Sequence, residues 1–464
     1  MESDSEQPVQ TQTDKPGVYI HTFGCQMNEY DTQKLYKILE NDYRPVSEAD
    51  QAELVLINTC SVRDKAENKL YSMLGELRGL KRERPSMLIG VCGCVAQQEG
   101  EEILKYGRGV DLVFGTHNLS LAPSLVRLRK KGAPPQVAVD YREEWEDLPL
   151  GFADVDPSKN GQKQHVTAFV SISRGCNKSC AYCIVPTTRG PEVSRAVEEI
   201  EREVRIAVHR GSKEIMLLGQ TVNSYGLDLS PRLSFVNLLE RVANIPGVER
   251  IRFVSPHPQE VRQDFIDFVV SNKKICRHIH MPLQSGSDRV LKEMNRNYRR
   301  DKYLKIIESL KSRVPDMAIT TDIIVGFPGE TEEDFRMTLE VMDLVQFDNS
   351  YSYSFSPRPG TAAAAMPELL SQEEKIERLQ ILQRKQEQIT AARLAAWVGK
   401  DVEVLVDNRN QNHEGCLQGR TSQNVMLNFD TPYQGLKIGD IVTARVVAPK
   451  RFTLMGELKS HSVV

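Results

Sequence analysis

Three cysteines, Cys25, Cys60 and Cys94, recur at intervals of 35 and 34 residues, each just past a short apolar run. The runs cover residues 18–20, 54–57 and 87–91, and helical periodicity follows each of them: from Asp31, over 63–82, and after Cys94. A fourth run, 110–114, completes the series. Apolar strands alternating with helices predict an open parallel sheet, and each interval is close to one βα unit of ~30 residues. The carboxyl ends of such strands share one edge, where ligands bind. Three thiols far apart in sequence are thereby brought to one rim. A trio there suits a 4Fe–4S cluster with three protein ligands and one open iron. Free cysteine is often simply buried, but burial alone does not explain recurrence at the same point of three successive units. Cys92 competes with Cys94; Cys94 is preferred because it lies further past its strand, as Cys25 and Cys60 do.

A second thiol group is local. Arg174-Gly175-Cys176-Asn177-Lys178-Ser179-Cys180-Ala181-Tyr182-Cys183 carries the spacing C-x-x-x-C-x-x-C. Three thiolates this close can hold three irons of a cube and leave the fourth without a protein ligand. An open iron beside the aromatic Tyr182 suits a small chelating molecule such as S-adenosylmethionine. A zinc knuckle is the alternative, but zinc usually closes its tetrahedron with a fourth Cys or His, and none lies nearby. Buried core thiols are another, and Gly175, Asn177 and Lys178 make poor core.

Composition narrows the class. A chain of 464 residues exceeds one ordinary core, and about three domains are expected. With 60 basic and 63 acidic side chains the net charge is -3, so any RNA contact must come from local patches. Nine cysteines kept free for metal point to a reducing, cytoplasmic compartment. Cys276 and Cys416 lack partner spacing and read as buried structural thiols. No apolar run is long enough to span a membrane and no signal peptide is evident. Residues 1–16 read as a disordered tail.

The βα series occupies residues 17–135. An acidic, aromatic-bearing stretch, 136–164, reads as a linker in which Trp145 packs on a neighbour. A second series of strand-like runs covers 167–171, 214–218, 250–254, 277–281, 318–325 and 350–355, with helical stretches such as 191–209, 258–270 and 303–311 between them. Six βα units predict a partial barrel that functions at the strands' carboxyl mouth. The 176–183 motif follows the first strand and so belongs at that mouth. A helix over 371–397, with Ile376, Leu379, Leu382 and Ile389 on its core stripe, closes this domain, 165–396. About five short strands in the last ~60 residues predict a small antiparallel β-barrel over 397–460. The fold class is α/β with that all-β appendage.

Phe23-Gly24-Cys25-Gln26-Met27-Asn28, Asn58-Thr59-Cys60-Ser61-Val62-Arg63 and Gly93-Cys94-Val95-Ala96-Gln97, together with the C-x-x-x-C-x-x-C motif, resemble the signatures of the methylthiotransferase family of radical S-adenosylmethionine enzymes. The resemblance covers nearly the whole chain after residue 16, and Ser61-Val62-Arg63 resembles the MiaB branch. It implies an N-terminal methylthiotransferase domain, a radical S-adenosylmethionine core and a TRAM-like RNA-binding domain. It implies two 4Fe–4S clusters, one on Cys25, Cys60 and Cys94 and one on Cys176, Cys180 and Cys183, and two equivalents of S-adenosylmethionine per turnover. By position, Gln284 and Ser285 would meet the ribose, Asp322, Ile324 and Gly326 the adenine, and Arg195 the methionine carboxylate through a forked contact. Gly219-Gln220 stands where the superfamily often has Gly-Gly-Glu for the amino group, so that contact departs from the pattern.

The implied reaction is thiomethylation of C2 of N(6)-isopentenyladenosine beside the tRNA anticodon, at position 37. A base in a single-stranded loop can be splayed into a pocket. Arg296, Arg299 and Arg300 near the barrel mouth, and Arg420, Lys437, Lys450 and Arg451 on the small barrel, are the expected RNA contacts. An electron donor such as flavodoxin and a sulfur source are further partners; a monomer without membrane attachment is expected. Sister branches act on threonylcarbamoyl-adenosine or on ribosomal protein S12, and Ser61-Val62-Arg63 with Met281-Pro282-Leu283-Gln284-Ser285-Gly286 favours the isopentenyladenosine branch. A non-catalytic iron–sulfur RNA-binding or carrier protein is the rival class. Two open irons argue against it, because carriers usually enclose each cluster with four ligands.

Overall fold

The computed structural model describes residues 15–61, 64–142, 145, 148–151, 166–409, 416–429, 433 and 435–461. Nearly all of the expected tail, the Val62-Arg63 pair and the 152–164 part of the linker lie outside those residues. The chain divides into two compact units, residues 1–163 with 185–193, and residues 164–184 with 194–464.

The first unit is built on a parallel sheet of β1 (Gly17–Thr22), β2 (Arg44–Pro45), β3 (Leu54–Thr59), β4 (Leu88–Gly93), β5 (Leu112–Phe114) and β6 (Gln136–Ala138). Their spatial order is β2-β1-β3-β4-β5-β6. Every residue of β3, β4 and β5 is buried, as a parallel sheet covered on both faces requires. One apolar cluster, including Leu35, Leu56 and Phe114, fills one face; another, including Leu74, Ile89 and Val113, fills the other. The strands that precede Cys25, Cys60 and Cys94 are β1, β3 and β4, which are neighbours. Two expectations are corrected here. The first helix spans Gln26–Leu39 and starts directly after Cys25, not at Asp31. Residues 136–138, assigned to the linker, are the sixth strand, paired with β5. Beyond it Tyr141 stacks on His117 with ring centres 4.4 Å apart, so Tyr141 fixes this stretch to its own unit.

In the second unit β7 (Thr167–Ser171), β8 (Glu214–Leu218) and β9 (Arg250–Phe253) form one parallel sheet, and β10 (His278–His280), β11 (Ala318–Val325) and β12 (Asn349–Ser354) another. The two sheets are linked where Ile251 of β9 bridges to Ile275, just ahead of β10. This is the partial six-stranded barrel. The helix Val197–His209 begins later than expected, because the residues before it run extended. The helix Gln372–Ala395 buries Arg378, Leu382, Gln386 and Ile389 and leaves Ile376 exposed, so the expected stripe is rotated. The cause is polar: Arg378 pairs with Glu330 at 2.7 Å, and Gln386 Nε2 donates to the Phe347 carbonyl at 2.8 Å.

The C-terminal strands β13 (Asp401–Arg409), β14 (Leu417–Thr421), β15 (Met426–Phe429), β16 (Ile441–Pro449) and β17 (Leu454–His461) close into a barrel. Its pairings are antiparallel except β15 with β17, which is parallel. It is fastened to the amino ends of the large barrel's strands. Arg250 donates to the Arg420 carbonyl at 2.8 Å, and Arg252 donates to the Thr421 and Ser422 carbonyls at 2.7 and 3.0 Å. Arg252 also pairs with buried Glu214 at 2.9 Å. Removing one member strands a buried charge and commonly costs about 3–5 kcal/mol. Arg252→Ala is therefore expected to lower the unfolding midpoint clearly in thermal or urea melts, and an unchanged melt would contradict this docking.

Candidate active site

The rim of the first sheet is shaped by short-range backbone demands. Gly93 has φ +90°, and a Cβ there would lie 2.4 Å from Asn58 Oδ1 and 2.5 Å from the Thr59 carbonyl. Only glycine fits, and the chain turns there so that Cys94 opens the next helix. Gly24 allows a similar approach, since its Cβ would meet the Cys60 Cβ at 2.8 Å. Asn28 Nδ2 donates to Asn58 Oδ1 and the Thr59 carbonyl at 3.0 and 3.1 Å, while Asn58 Nδ2 donates to the Asn28 carbonyl at 2.9 Å. These buried amides staple the loop after β1 to the end of β3. They account for the asparagines in both motifs.

The thiols meet within this frame. Cys25 and Cys60 are hydrogen-bonded to one another, and the Cys60 bond is the leading cause that holds the Cys25 thiol down to about 6. Arg189 and the Met27 and Asn28 amides at the start of the helix add to it, as a helix N-terminus does for a thiolate. Burial pushes the Cys94 thiol up, opposed by Arg189. Cys92 instead lies within β4, packed in the apolar cluster with Leu56 and Phe114. Among the described residues no three Cys, His, Asp or Glu side chains enclose a point as around a single metal ion. The thiolates of a cube each bind a different iron and stand further apart. Donors and a cation beside the Cys25 and Cys94 sulfurs suit such a group.

In the second unit Cys176, Cys180 and Cys183 are partly exposed on the loop beyond β7. The Lys178 amide donates to Cys176 Sγ at 3.4 Å, and Thr221 Oγ1 lies 3.6 Å from it. Arg296 Nη1 reaches Cys180 Sγ at 3.8 Å and Tyr182 Oη at 3.2 Å. The loop's backbone is pinned independently: Ala181 donates to the Met294 carbonyl and accepts from Ala363. Burial keeps the Tyr182 phenol well above its usual range. Hydrogen bonds to thiolate sulfur are one of the levers that set cluster properties, and this loop provides them.

Several expected contacts are placed differently. Arg296 is buried, donating to the Pro282 carbonyl at 3.0 Å; it supports the cysteine loop and does not face RNA. Arg195 is held by Glu199 at 3.2 Å and by Glu203, and donates to the Ser171 carbonyl at 3.3 Å. Those partners hold its fork in this structure. Ser285 is fully buried, with Oγ 3.5 Å from Thr338 Oγ1. Gln284, at φ +69°, extends the β10–β11 pairing through its backbone. Gly219 is packed on Ser173, whose Oγ a Cβ would meet at 2.6 Å, and Gln220 is half-buried beyond it. Asp322 meets His280 Nε2 at 3.2 Å. Ile324, like Tyr182, packs against the buried cluster that includes Phe327. Gly326, at φ +70°, donates to Glu330 Oε1 at 3.0 Å. Arg300 pairs with Glu340 at 3.3 Å and Arg451 with Glu387 at 2.7 Å. Arg420 meets Asp407 at 3.4 Å beside the docking contact. Lys450 is exposed. Cys276 and Cys416 are buried.

Three features were not anticipated. Arg189 stands among the N-terminal thiols. Tyr351 and Tyr353, 48% and 38% exposed, alternate on the edge strand β12, with Tyr351 packed 5.7 Å from His280; the serine-tyrosine alternation of residues 350–354 was a legible signal for it. A groove of about 640 Å³ joins Arg299, an expected RNA contact, to the unforeseen Arg262, Lys302 and Lys305, with Asp301 as the one acid of its lining. Many surface arginines elsewhere are neutralised, such as Arg313 by Asp267.

Comparison with known proteins bears on this arrangement. Residues 170–342 match the Radical SAM superfamily, residues 17–115 the family described as UPF0004, and residues 396–459 the TRAM domain. The chain is 44% identical over 443 residues to the tRNA-2-methylthio-N(6)-dimethylallyladenosine synthase of Geobacter metallireducens, covering 95% of this chain and 98% of that one. It is 45% identical over 442 residues to the protein of the same name from Geotalea uraniireducens, with the same coverage. Among solved structures, the radical S-adenosylmethionine methyltransferase TsrM from Kitasatospora setae superposes with TM-score 0.54 at 14% identity, over 75% of each chain. At that identity the likeness concerns the fold alone.

Proposed function

Since the chain belongs to the family of the tRNA-2-methylthio-N(6)-dimethylallyladenosine synthases, methylthiotransferases of the radical S-adenosylmethionine superfamily, we propose that it thiomethylates C2 of N(6)-isopentenyladenosine at position 37 of tRNA. The observation that carries the reading is the second thiol trio, Cys25, Cys60 and Cys94, gathered at one sheet rim in a chain that also bears the C-x-x-x-C-x-x-C loop. When bound, two 4Fe–4S clusters supply the one-electron cleavage of S-adenosylmethionine and carry the sulfur to be inserted, with two equivalents of S-adenosylmethionine used per turnover.

The chain's own residues hold and orient. The Lys178 amide and Arg296 donate to sulfurs of the C-x-x-x-C-x-x-C loop, and Thr221 Oγ1 lies 3.6 Å from that of Cys176. Ile324 and Tyr182 give that loop an apolar flank for the adenine of S-adenosylmethionine. Tyr351 and Tyr353 offer ring faces on which an unstacked base can lie, a contact worth about 1–3 kcal/mol per base. The tRNA backbone follows the groove of Arg262, Arg299, Lys302 and Lys305, whose cations suit phosphate charge. We place the protein in the cytoplasm as a monomer, drawing electrons from a flavodoxin-like donor and sulfur from a separate source. Among the described residues no helix is long and apolar enough to cross a membrane.

The test is cluster-loaded protein with an anticodon stem-loop carrying adenosine, isopentenyladenosine or threonylcarbamoyl-adenosine. A methylthio mass gain on the isopentenylated RNA alone is expected; gain on the threonylcarbamoyl form would move the chain to the sister branch. The groove makes its own prediction. Arg299→Glu with Lys305→Glu should raise the KM for RNA about tenfold or more with little change in kcat, and flatten its salt dependence by about two phosphate contacts. An unchanged salt slope would put the RNA elsewhere.

A further inference from the structure

Arg189 lies six residues after Cys183 in sequence, yet its segment, residues 185–193, belongs to the N-terminal unit. Within that unit it ends the short helix Val185–Arg189, and its side chain is 6% exposed. Two contacts fasten the segment there: Thr116 Oγ1 donates to the Thr188 carbonyl at 2.7 Å, and Tyr141 Oη donates to the Pro186 carbonyl at 3.0 Å. The guanidinium meets Asp31 Oδ2 at 2.8 Å, the helix that it ends packs against the helix that Cys94 opens, and its charge acts to hold the Cys94 and Cys25 thiols down. A buried arginine keeps its proton, and a buried cation needs compensation from every side. Asp31 provides one negative charge. The Cys94 thiol, on which the charge also acts, is a second anionic partner beside it.

We propose that Arg189 is a positioning residue for the N-terminal cluster, donating to the Cys94 sulfur and raising that cluster's reduction potential. This rests on the two-cluster reading above. Reduction adds a negative charge beside a fixed, desolvated cation, and hydrogen bonds to cluster sulfurs act in the same direction. Asp31 anchors the guanidinium so that its fork stays aimed at the thiolate.

The experiment uses the full-length, cluster-loaded chain with Cys176, Cys180 and Cys183 all changed to Ala, so that only the N-terminal cluster remains, read by redox titration with electron paramagnetic resonance. Arg189→Gln should lower the midpoint so that the reduced-to-oxidised ratio at a fixed potential falls at least tenfold, equivalent to 59 mV for one electron. Arg189→Lys should restore most of it. Should the lone Asp31 carboxylate unfold the glutamine variant, the paired change Arg189→Gln with Asp31→Asn leaves no unpaired charge, and its midpoint should still fall, though by less. About four irons per chain with an unmoved midpoint in these variants overturns the role of Arg189 alone. No iron in the parent background overturns the two-cluster reading and this inference with it.

Discussion

Changing Cys180 to Ala is expected to reduce 5′-deoxyadenosine formation below detection while the chain stays folded. The loop that carries Cys180 is tied down by backbone bonds from Ala181 to Met294 and from Ala363 to Ala181, and by Asn295 Nδ2 on the Ser179 carbonyl at 2.8 Å. None of these uses the sulfur. The substitution therefore removes one of the three proposed iron ligands without disturbing the scaffold, and it also removes the acceptor of the Arg296 contact at 3.8 Å. The cleavage has no route through the remaining side chains, because no protein group can supply one electron at the potential required. Chromatographic assay of 5′-deoxyadenosine after chemical reduction checks this. Near-native product from the variant would remove the C-x-x-x-C-x-x-C loop from the chemistry.

The Cys60→Ala chain is expected to behave oppositely: S-adenosylmethionine cleavage persists and thiomethylation disappears. Cys60 is buried and hydrogen-bonded to Cys25, and alanine keeps the Cβ against which Gly24 packs. Losing one buried sulfur costs about 1 kcal/mol of stability, too little to unfold the sheet. The cleavage machinery lies in the other unit and keeps its ligands. Parallel assays of 5′-deoxyadenosine and of methylthio-adenosine in digested RNA separate the two activities. Equal loss of both, with the C-x-x-x-C-x-x-C cluster still present, would contradict separate roles for the two trios.

How much of this was legible depends on whether a signal was local or long-range. The strands β1, β3, β4, β7, β8 and β11 are continuous apolar or alternating runs, so their positions and the rim they create could be read directly. The position of Cys94 past its strand pointed the same way as the Gly93 turn that the structure shows. Arg189 was hidden because neighbours in sequence suggest neighbours in domain, whereas the chain after Cys183 packs with the first unit. Arg296 was expected to meet RNA and Arg195 a methionine carboxylate; Arg296 instead finds a carbonyl fourteen residues back, and Arg195 finds Glu199 and Glu203 on the helix that follows it and the Ser171 carbonyl on the strand before it, a burial that composition does not reveal. Ile376 fitted a helical stripe, yet the buried face was decided by Arg378 and Gln386 finding polar partners. Arg420 read as a phosphate contact, while Arg250 and Arg252 bind carbonyls of its own strand and the turn after it.

The central claim is that one polypeptide ligates two iron–sulfur cubes, each through only three thiolates. Iron and acid-labile sulfide per chain, measured after anaerobic reconstitution, test it most directly. The account predicts about eight irons in the native chain, and about four in each of two variants, one lacking Cys25, Cys60 and Cys94 and the other lacking Cys176, Cys180 and Cys183. About four irons in the native chain, unchanged when the N-terminal trio is removed, would contradict it.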